Sequence, residues 1–192
     1  MIVAITGGIG SGKTFVAEIF ESMGCPIYIA DDRAKDLMIS NEGIISDIKA
    51  LFGAKSYNLD GSLNRRLIAD LAFGNSELLG QLNKIVHPRV YEDFSIFCKN
   101  HSESPVIVYE SALVLSANKR VYDKLIGVIA PKYIRLKRVM SRDGLSEIEV
   151  ENRMEKQVSD QRIIEASDFL IENDGKTDLK PQVIKILDLL KN

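Results

Sequence analysis

The sequence predicts an α/β protein: a parallel five-stranded sheet between helical layers, with a helical insertion and a helical lid. Three observations carry this prediction. Short β-branched runs recur along the chain with helical patterns between several of them, the signature of a parallel sheet covered on both faces. A glycine-rich stretch joins the first such run directly to the first helical pattern. Residues 31–104 carry helical patterns but no convincing strand, whereas a crossover between parallel strands needs only about a dozen residues or more.

In chain order, residues 2–6 (IVAIT) read as a buried strand ended by glycines. Residues 13–23 keep Val16, Ile19, Phe20 and Met23 at helical spacing, and Gly24 supplies a stop. Residues 26–30 (PIYIA) form a second strand. The insertion follows, with helices expected at roughly 31–40, 43–52, 63–73 and 76–100. His87-Pro88 falls inside the last of these, where proline is expected to end or kink the helix. Residues 105–109, 124–130 and 168–172 supply three more strands. The chain closes on a helix over 178–191, with Leu179, Val183, Ile186, Leu187 and Leu190 on one core-facing stripe. The resulting division is a core of about 1–30 and 105–192, an insertion of about 31–104 and a lid of about 135–160.

The chain has 192 residues, 45% of them hydrophobic, which suits one large domain or a core with one insertion. A formal charge of −2 argues against a general nucleic-acid binder, which needs a basic surface. Cys25 and Cys98 are far apart and form no CxxC or Cys/His cluster, which argues against a disulfide scaffold or a zinc site. No apolar run approaches the ~18 residues of a membrane span, and the start lacks the pattern of a signal peptide. The expectation is a cytoplasmic protein without membrane or nucleic-acid partners.

Gly7-Gly8-Ile9-Gly10-Ser11-Gly12-Lys13-Thr14 fits G-x-x-x-x-G-K-[ST], the phosphate-binding P-loop. Glycines let backbone N–H groups approach an anion without interference from Cβ atoms. The helix N-terminus behind them adds partial positive charge and free donors. Lys13 is expected to reach the β- and γ-phosphates of a nucleotide, and Thr14 to offer its hydroxyl to Mg²⁺. A chance glycine turn is the competing reading, but the match sits between a strand and a helix, where the function requires it. Neither Asn83-Lys84 nor Asn118-Lys119 continues into the N-K-x-D pattern of guanine-specific switches. The strand at 105–109 leads into Glu110, a partial match to the acidic strand end of mechanochemical ATPases.

Asp31-Asp32 follow the second strand, expected beside the strand that feeds the P-loop. A carboxylate at the carboxyl end of such a strand faces the ligand crevice and can take a proton from a substrate hydroxyl. The alternative is an N-cap for a helix starting near Arg33. Arg135, Arg138 and Arg142 share one helical face, and Asp143-Gly144 ends that helix. Ser146 and Glu149 then form a capping box that opens a second helix carrying Arg153 and Gln157. Two such helices suit a lid closing over phosphates, since the guanidinium is a fixed, always-charged fork of donors. A solvated basic face is the alternative. His87, taken alone, reads as a structural histidine.

With these motifs in order, the chain resembles the dephospho-CoA kinase family, which catalyses the last step of coenzyme A biosynthesis. The resemblance rests on "ITGGIGSGKT" at the start, "AD" at 30–31, "FG" at 52–53, "DGSLNRRLI" at 60–68, "IVHPRV" at 85–90, "RLKRVMSRD" at 135–143, "RMEKQ" at 153–157 and "SDFLIENDG" at 167–175. It implies a P-loop NTPase-type three-layer fold and transfer of the ATP γ-phosphoryl group to the ribose 3′-hydroxyl of dephospho-CoA, with Mg²⁺. It implies Asp31 as general base and substrate contact, and Gly8, Ile9, Gly10, Ser11, Gly12, Lys13 and Thr14 as the ATP site, with Lys13 also catalytic. Arg138 and Arg142 become catalytic lid arginines, and Arg65 and His87 substrate contacts. A monomer or weak homo-oligomer is expected.

Three positions depart from the family pattern. Ile29 stands where the family has a first aspartate, Ser116 where a glutamate aligns, and Arg135 where many relatives have glutamine. Glu110 is a candidate replacement carboxylate. A kinase for another small acceptor, such as a nucleoside monophosphate, and a non-catalytic nucleotide switch are the alternative functions.

Overall fold

A computed structural model describes the chain except for Phe73, Gly74, Asn118 and Asn192. The expected helix end at Phe73 and the Asn118-Lys119 reading therefore lie partly outside the described residues. The chain divides into two compact units, residues 1–29 with 101–192, and residues 30–100.

The first unit is built on a five-stranded, all-parallel sheet: β1 (Ile2–Thr6), β2 (Ile27–Ile29), β3 (Ile107–Glu110), β4 (Lys124–Ile129) and β5 (Phe169–Glu172). The spatial order is β2-β3-β1-β4-β5. β1 is central, and Val3, Ala4 and Ile5 have no exposed surface, which explains its uninterrupted apolar run. The order corrects one expectation. β2 is not the neighbour of β1, because β3 lies between them and pairs Glu110 with both Ile5 and Ile29.

One face of the sheet presents Val3, Ile5, Val108, Ile126, Val128 and Ile171. These pack with Val16, Ala17 and Phe20 of α1 (Lys13–Ser22) and with the full apolar stripe of the last helix, α9 (Leu179–Lys191). Burying each large side chain contributes about 1.5–3 kcal/mol, so this cluster anchors both helices that flank the sheet on that face.

Between β4 and β5 lie α6 (Lys132–Asp143), α7 (Glu147–Glu155) and α8 (Asp160–Ala166). Ser146 and Glu149 make the expected capping box at the start of α7. α8 was not expected. It is seven residues long, capped by Ser159, whose hydroxyl accepts from the Arg162 N–H at 3.2 Å.

The second unit is helical: α2 (Ala30–Ser40), α3 (Glu42–Phe52), α4 (Arg65–Ala72) and α5 (Ser76–Asn100), with a short 3-10 turn at Ala54–Ser56 and one antiparallel bridge between Tyr57 and Leu63. α5 spans the whole expected 76–100 pattern and does not end at His87-Pro88, the first of the two outcomes expected there. Proline there removes one intrahelical bond, but Val86, Val90 and Phe94 bury the helix on either side of it, and α2 and α3 pack along it. Arg33 of α2 adds a two-pronged bond to Asp93 of α5, at 2.8 and 3.0 Å. No helix among the described residues is long and apolar enough to cross a membrane.

Candidate active site

The P-loop fills the turn between β1 and α1. Its conformation is held from behind by side chains remote in sequence. Arg135 of α6 is only 5% exposed. Its Nε donates to the Ile9 carbonyl at 3.0 Å, and its Nη1 donates to both carboxylate oxygens of Asp160 at 2.6 and 2.8 Å. Arg138, one turn further, donates to the Gly10 carbonyl at 3.2 Å and to Asn173 Oδ1 at 2.8 Å. Asn173, just after β5, completes the ring by donating from Nδ2 to the Ser11 carbonyl at 2.8 Å.

This backing explains two of the glycines. A Cβ atom at Gly8 would collide with the Arg135 guanidinium. Gly12 has φ 94°, in the left-handed region, and a Cβ atom there would collide with the Asn173 side-chain amide.

α1 is open to an anion at its N-terminus. Its first intrahelical bond reaches Val16 N–H from the Gly12 carbonyl, so the N–H groups of Lys13 and Thr14 precede the helical ladder. Gly12 offers no side-chain cap, and the first turn holds no carboxylate. The positive end of the helix therefore keeps its capacity for phosphate. Ser11 Oγ is buried against Gly7 without a hydrogen-bond partner.

Thr14 is solvent-exposed on the first turn of α1. Glu110 ends β3, is 3% exposed, and lies in register with Ile5, the residue before the last of β1. Among the described residues no group of three His, Cys, Asp or Glu side chains could hold a metal alone. The Thr14 hydroxyl and the Glu110 carboxylate are hard oxygen donors of the kind Mg²⁺ takes, one or two from the protein with substrate phosphates and water completing the set.

The other expected residues fall as follows. Arg142 lies near the end of α6 and pairs with Asp143 at 2.7 Å, a carboxylate that Arg153 also approaches at 3.4 Å. Hydrogen bonding from Arg142 holds the Asp143 carboxyl below its ordinary value. Arg135 is not a lid arginine in an exposed row but a buried strut of the loop. In the second unit, α2 starts at Ala30, so the residue at its N-cap position is Ile29, and Asp31 and Asp32 lie inside the first turn. The capping alternative for either aspartate is thereby overturned. Asp31 is exposed, and Asp32 is paired with Lys35 at 2.6 Å. Arg65 opens α4 and is exposed. His87 is half-buried on α5, 6.4 Å from the Tyr91 ring centre, and burial pushes its pKa below the ordinary value.

Asp160 and Asn173 were missed by sequence reasoning. Asn173 had a legible signal, a polar side chain directly after a strand's carboxyl end. Asp160 had none, because the short helix it opens was not legible.

A parallel sheet with β3 between β1 and β2, a P-loop opening α1 and arginines of α6 against that loop define a kinase of the P-loop type. The dephospho-CoA kinase family model matches residues 1–178. Among curated proteins, the dephospho-CoA kinase of Bacteroides fragilis is 34% identical over 189 residues, covering 98% of this chain and 92% of that protein. That of Salinibacter ruber is 37% identical over 176 residues, covering 90% and 88%. The chain belongs to the dephospho-CoA kinase family. A solved Thermus thermophilus structure superposes with TM-score 0.84 at 30% identity, covering 98% of this chain and 96% of that one. The dephospho-CoA kinase from Campylobacter jejuni shares the fold at TM-score 0.64 and 23% identity, covering 98% and 96%.

Proposed function

We propose that this protein transfers the γ-phosphoryl group of ATP to the ribose 3′-hydroxyl of dephospho-CoA, giving coenzyme A and ADP, in the cytoplasm. The observation that carries the reading is the P-loop with its uncapped, carboxylate-free helix N-terminus, in a chain that matches the family almost from end to end.

Each step can be assigned to residues of the chain. The loop from Gly8 to Thr14 cradles the phosphates through N–H groups other than those of Ile9 and Ser11, which are bonded within the protein, and Lys13 balances charge on the β- and γ-phosphates. Thr14 and Glu110 are the protein oxygens that would hold Mg²⁺. When bound, the ion neutralises charge developing on the transferring group. Asp31, two residues after the end of β2, accepts the proton of the attacking hydroxyl. Arg142 and Arg138 stabilise the phosphoryl group in flight, with Arg138 already anchored at the loop. Arg65 and His87 contact the acceptor, which assigns the helical unit to substrate binding.

The test is ADP release from ATP over a panel of acceptors: dephospho-CoA, AMP, CMP and shikimate. Release should depend on dephospho-CoA. Faster turnover with another acceptor would reassign the substrate, and release independent of any acceptor would favour a nucleotide switch.

A further inference from the structure

Both main-chain polar groups of Ile9 are taken by side chains. Its N–H donates to Gln157 Oε1 at 2.7 Å, and its carbonyl accepts from Arg135 Nε at 3.0 Å. Arg135 is oriented by both oxygens of Asp160. Gln157 and Asp160 belong to one short link, which leaves α7 after Glu155 and enters α8 at Asp160. That link therefore grips the P-loop at one residue from two sides. The grip is close to the anion-binding turn, since the Gly8 carbonyl accepts the Ser11 N–H at 3.1 Å inside the same loop.

A plain ion pair between the buried Arg135 and the half-exposed Asp160 would not need this arrangement. Asp160 alone could satisfy part of the guanidinium, yet Nε is directed at the loop and the guanidinium plane covers Gly8. Hydrogen bonds to charged groups are the stronger kind, and a buried guanidinium without its carboxylate would be left uncompensated. Losing Asp160 would free Arg135 to turn away, and Ile9 would lose its acceptor-side anchor.

We propose that Gln157, Asp160 and Arg135 form a clamp that keeps the P-loop in its phosphate-ready shape, so that the α7–α8 link sets the affinity for ATP. They are positioning residues, acting through the backbone of Ile9 rather than on the substrate. The proposal rests on the reading of the loop as the ATP site.

The test compares wild type with Gln157→Met, Gln157→Glu and Asp160→Asn. Glutamate at 157 keeps an acceptor oxygen of the same reach, so it is the conservative rescue for hydrogen exchange, while its added charge keeps it out of the KM comparison. Two readouts are taken: KM for ATP against kcat and KM for dephospho-CoA, and amide hydrogen exchange of Ile9 and Ser11 without nucleotide. Gln157→Met and Asp160→Asn should raise KM for ATP about tenfold or more, the scale of a part-buried N–H left without its acceptor in the first and of a lost hydrogen bond to a charged group in the second. KM for dephospho-CoA should stay put, exchange at Ile9 and Ser11 should accelerate, and Gln157→Glu should keep that exchange within about threefold of wild type. An unchanged KM and exchange rate, with only a lowered Tm, would overturn the clamp. Should Asp160→Asn fail to fold, the pair of Gln157 variants decides alone. A wild type that binds no ATP in direct titration would remove the ATP-site reading, whereas a binding wild type with indifferent variants would remove only the clamp.

Discussion

The two units hold themselves together by different means. In the helical unit, order comes from periodicity: Ile44, Ile48 and Phe52 of α3 and Val86, Val90 and Phe94 of α5 are buried at helical spacing. Its recorded ion pairs, such as Asp32–Lys35 and Arg89–Glu92, lie mostly at the surface and three or four residues apart. At the P-loop, order comes from polar groups of very different chain position. Arg135, Arg138, Gln157 and Asn173 bond to backbone atoms 126 to 162 residues away. The difference teaches that the helical unit is a packing problem, whereas the loop is a positioning problem whose solution is distributed along the chain.

Substitutions should separate the two regimes. The largest effect is expected at Lys13. Lys13→Ala removes the loop's only ammonium and should lower kcat by about 10²–10³-fold or more, the cost of one lost electrostatic stabiliser, while weakening ATP binding. Circular dichroism should show an unchanged fold. Near-normal turnover in a folded variant would break the assignment of the loop as the reacting site.

Asp31→Asn comes next and crosses the comparison, because it places chemistry in the helical unit. Loss of a general base costs about 10²–10⁴-fold in kcat, or about 2.7–5.4 kcal/mol of barrier. Tm and ATP binding should hold. Asp32→Asn, which disturbs only a surface pair with Lys35, should be mild. A large loss at Asp32 with little at Asp31 would move the base by one residue.

Phe94→Ala should show the opposite pattern. Phe94 is 3% exposed, and emptying its site should lower stability by about 3–5 kcal/mol in denaturant unfolding. The equilibrium affinity for ATP of the fraction that remains folded should be little changed. A selective loss of ATP affinity would mean that the two regimes are not separate.

The smallest expected effect is at His87. Burial depresses its pKa from 6.5, so the unfolded chain binds more protons than the folded one as pH falls. The contribution is complete above the unfolded value and is lost as pH drops through about 6.5 towards the folded value, at no more than about 1.4 kcal/mol per pH unit. Unfolding at pH 7.5 and 5.5 should show this slope in wild type and a reduced one in His87→Gln.

The same contrast explains what the sequence revealed. β1, α1 and α9 were legible because one element's own periodicity determines each, as with Leu179, Val183, Ile186, Leu187 and Leu190. The P-loop was legible because its chemistry needs fixed residue types in consecutive order. The place of β3 between β1 and β2 was not, since strand order leaves no local trace. α8 was missed because Ser159 is followed three residues later by Arg162 rather than an acid, over a helix of seven residues. The helix over 76–100 was legible from its periodicity, and Pro88 does not end it because Val86, Val90 and Phe94 are buried on either side. Arg135 looked like part of a solvated or lid-facing row, and nothing nearby in sequence announces Asp160 as its partner.

The most direct measurement of the central claim is identification of the product formed from ATP and dephospho-CoA by mass spectrometry and phosphorus NMR. The account expects stoichiometric ADP and one new phosphomonoester on the ribose 3′-oxygen, which is coenzyme A. Inorganic phosphate in place of that ester, or a phosphoryl group on another oxygen, would contradict it.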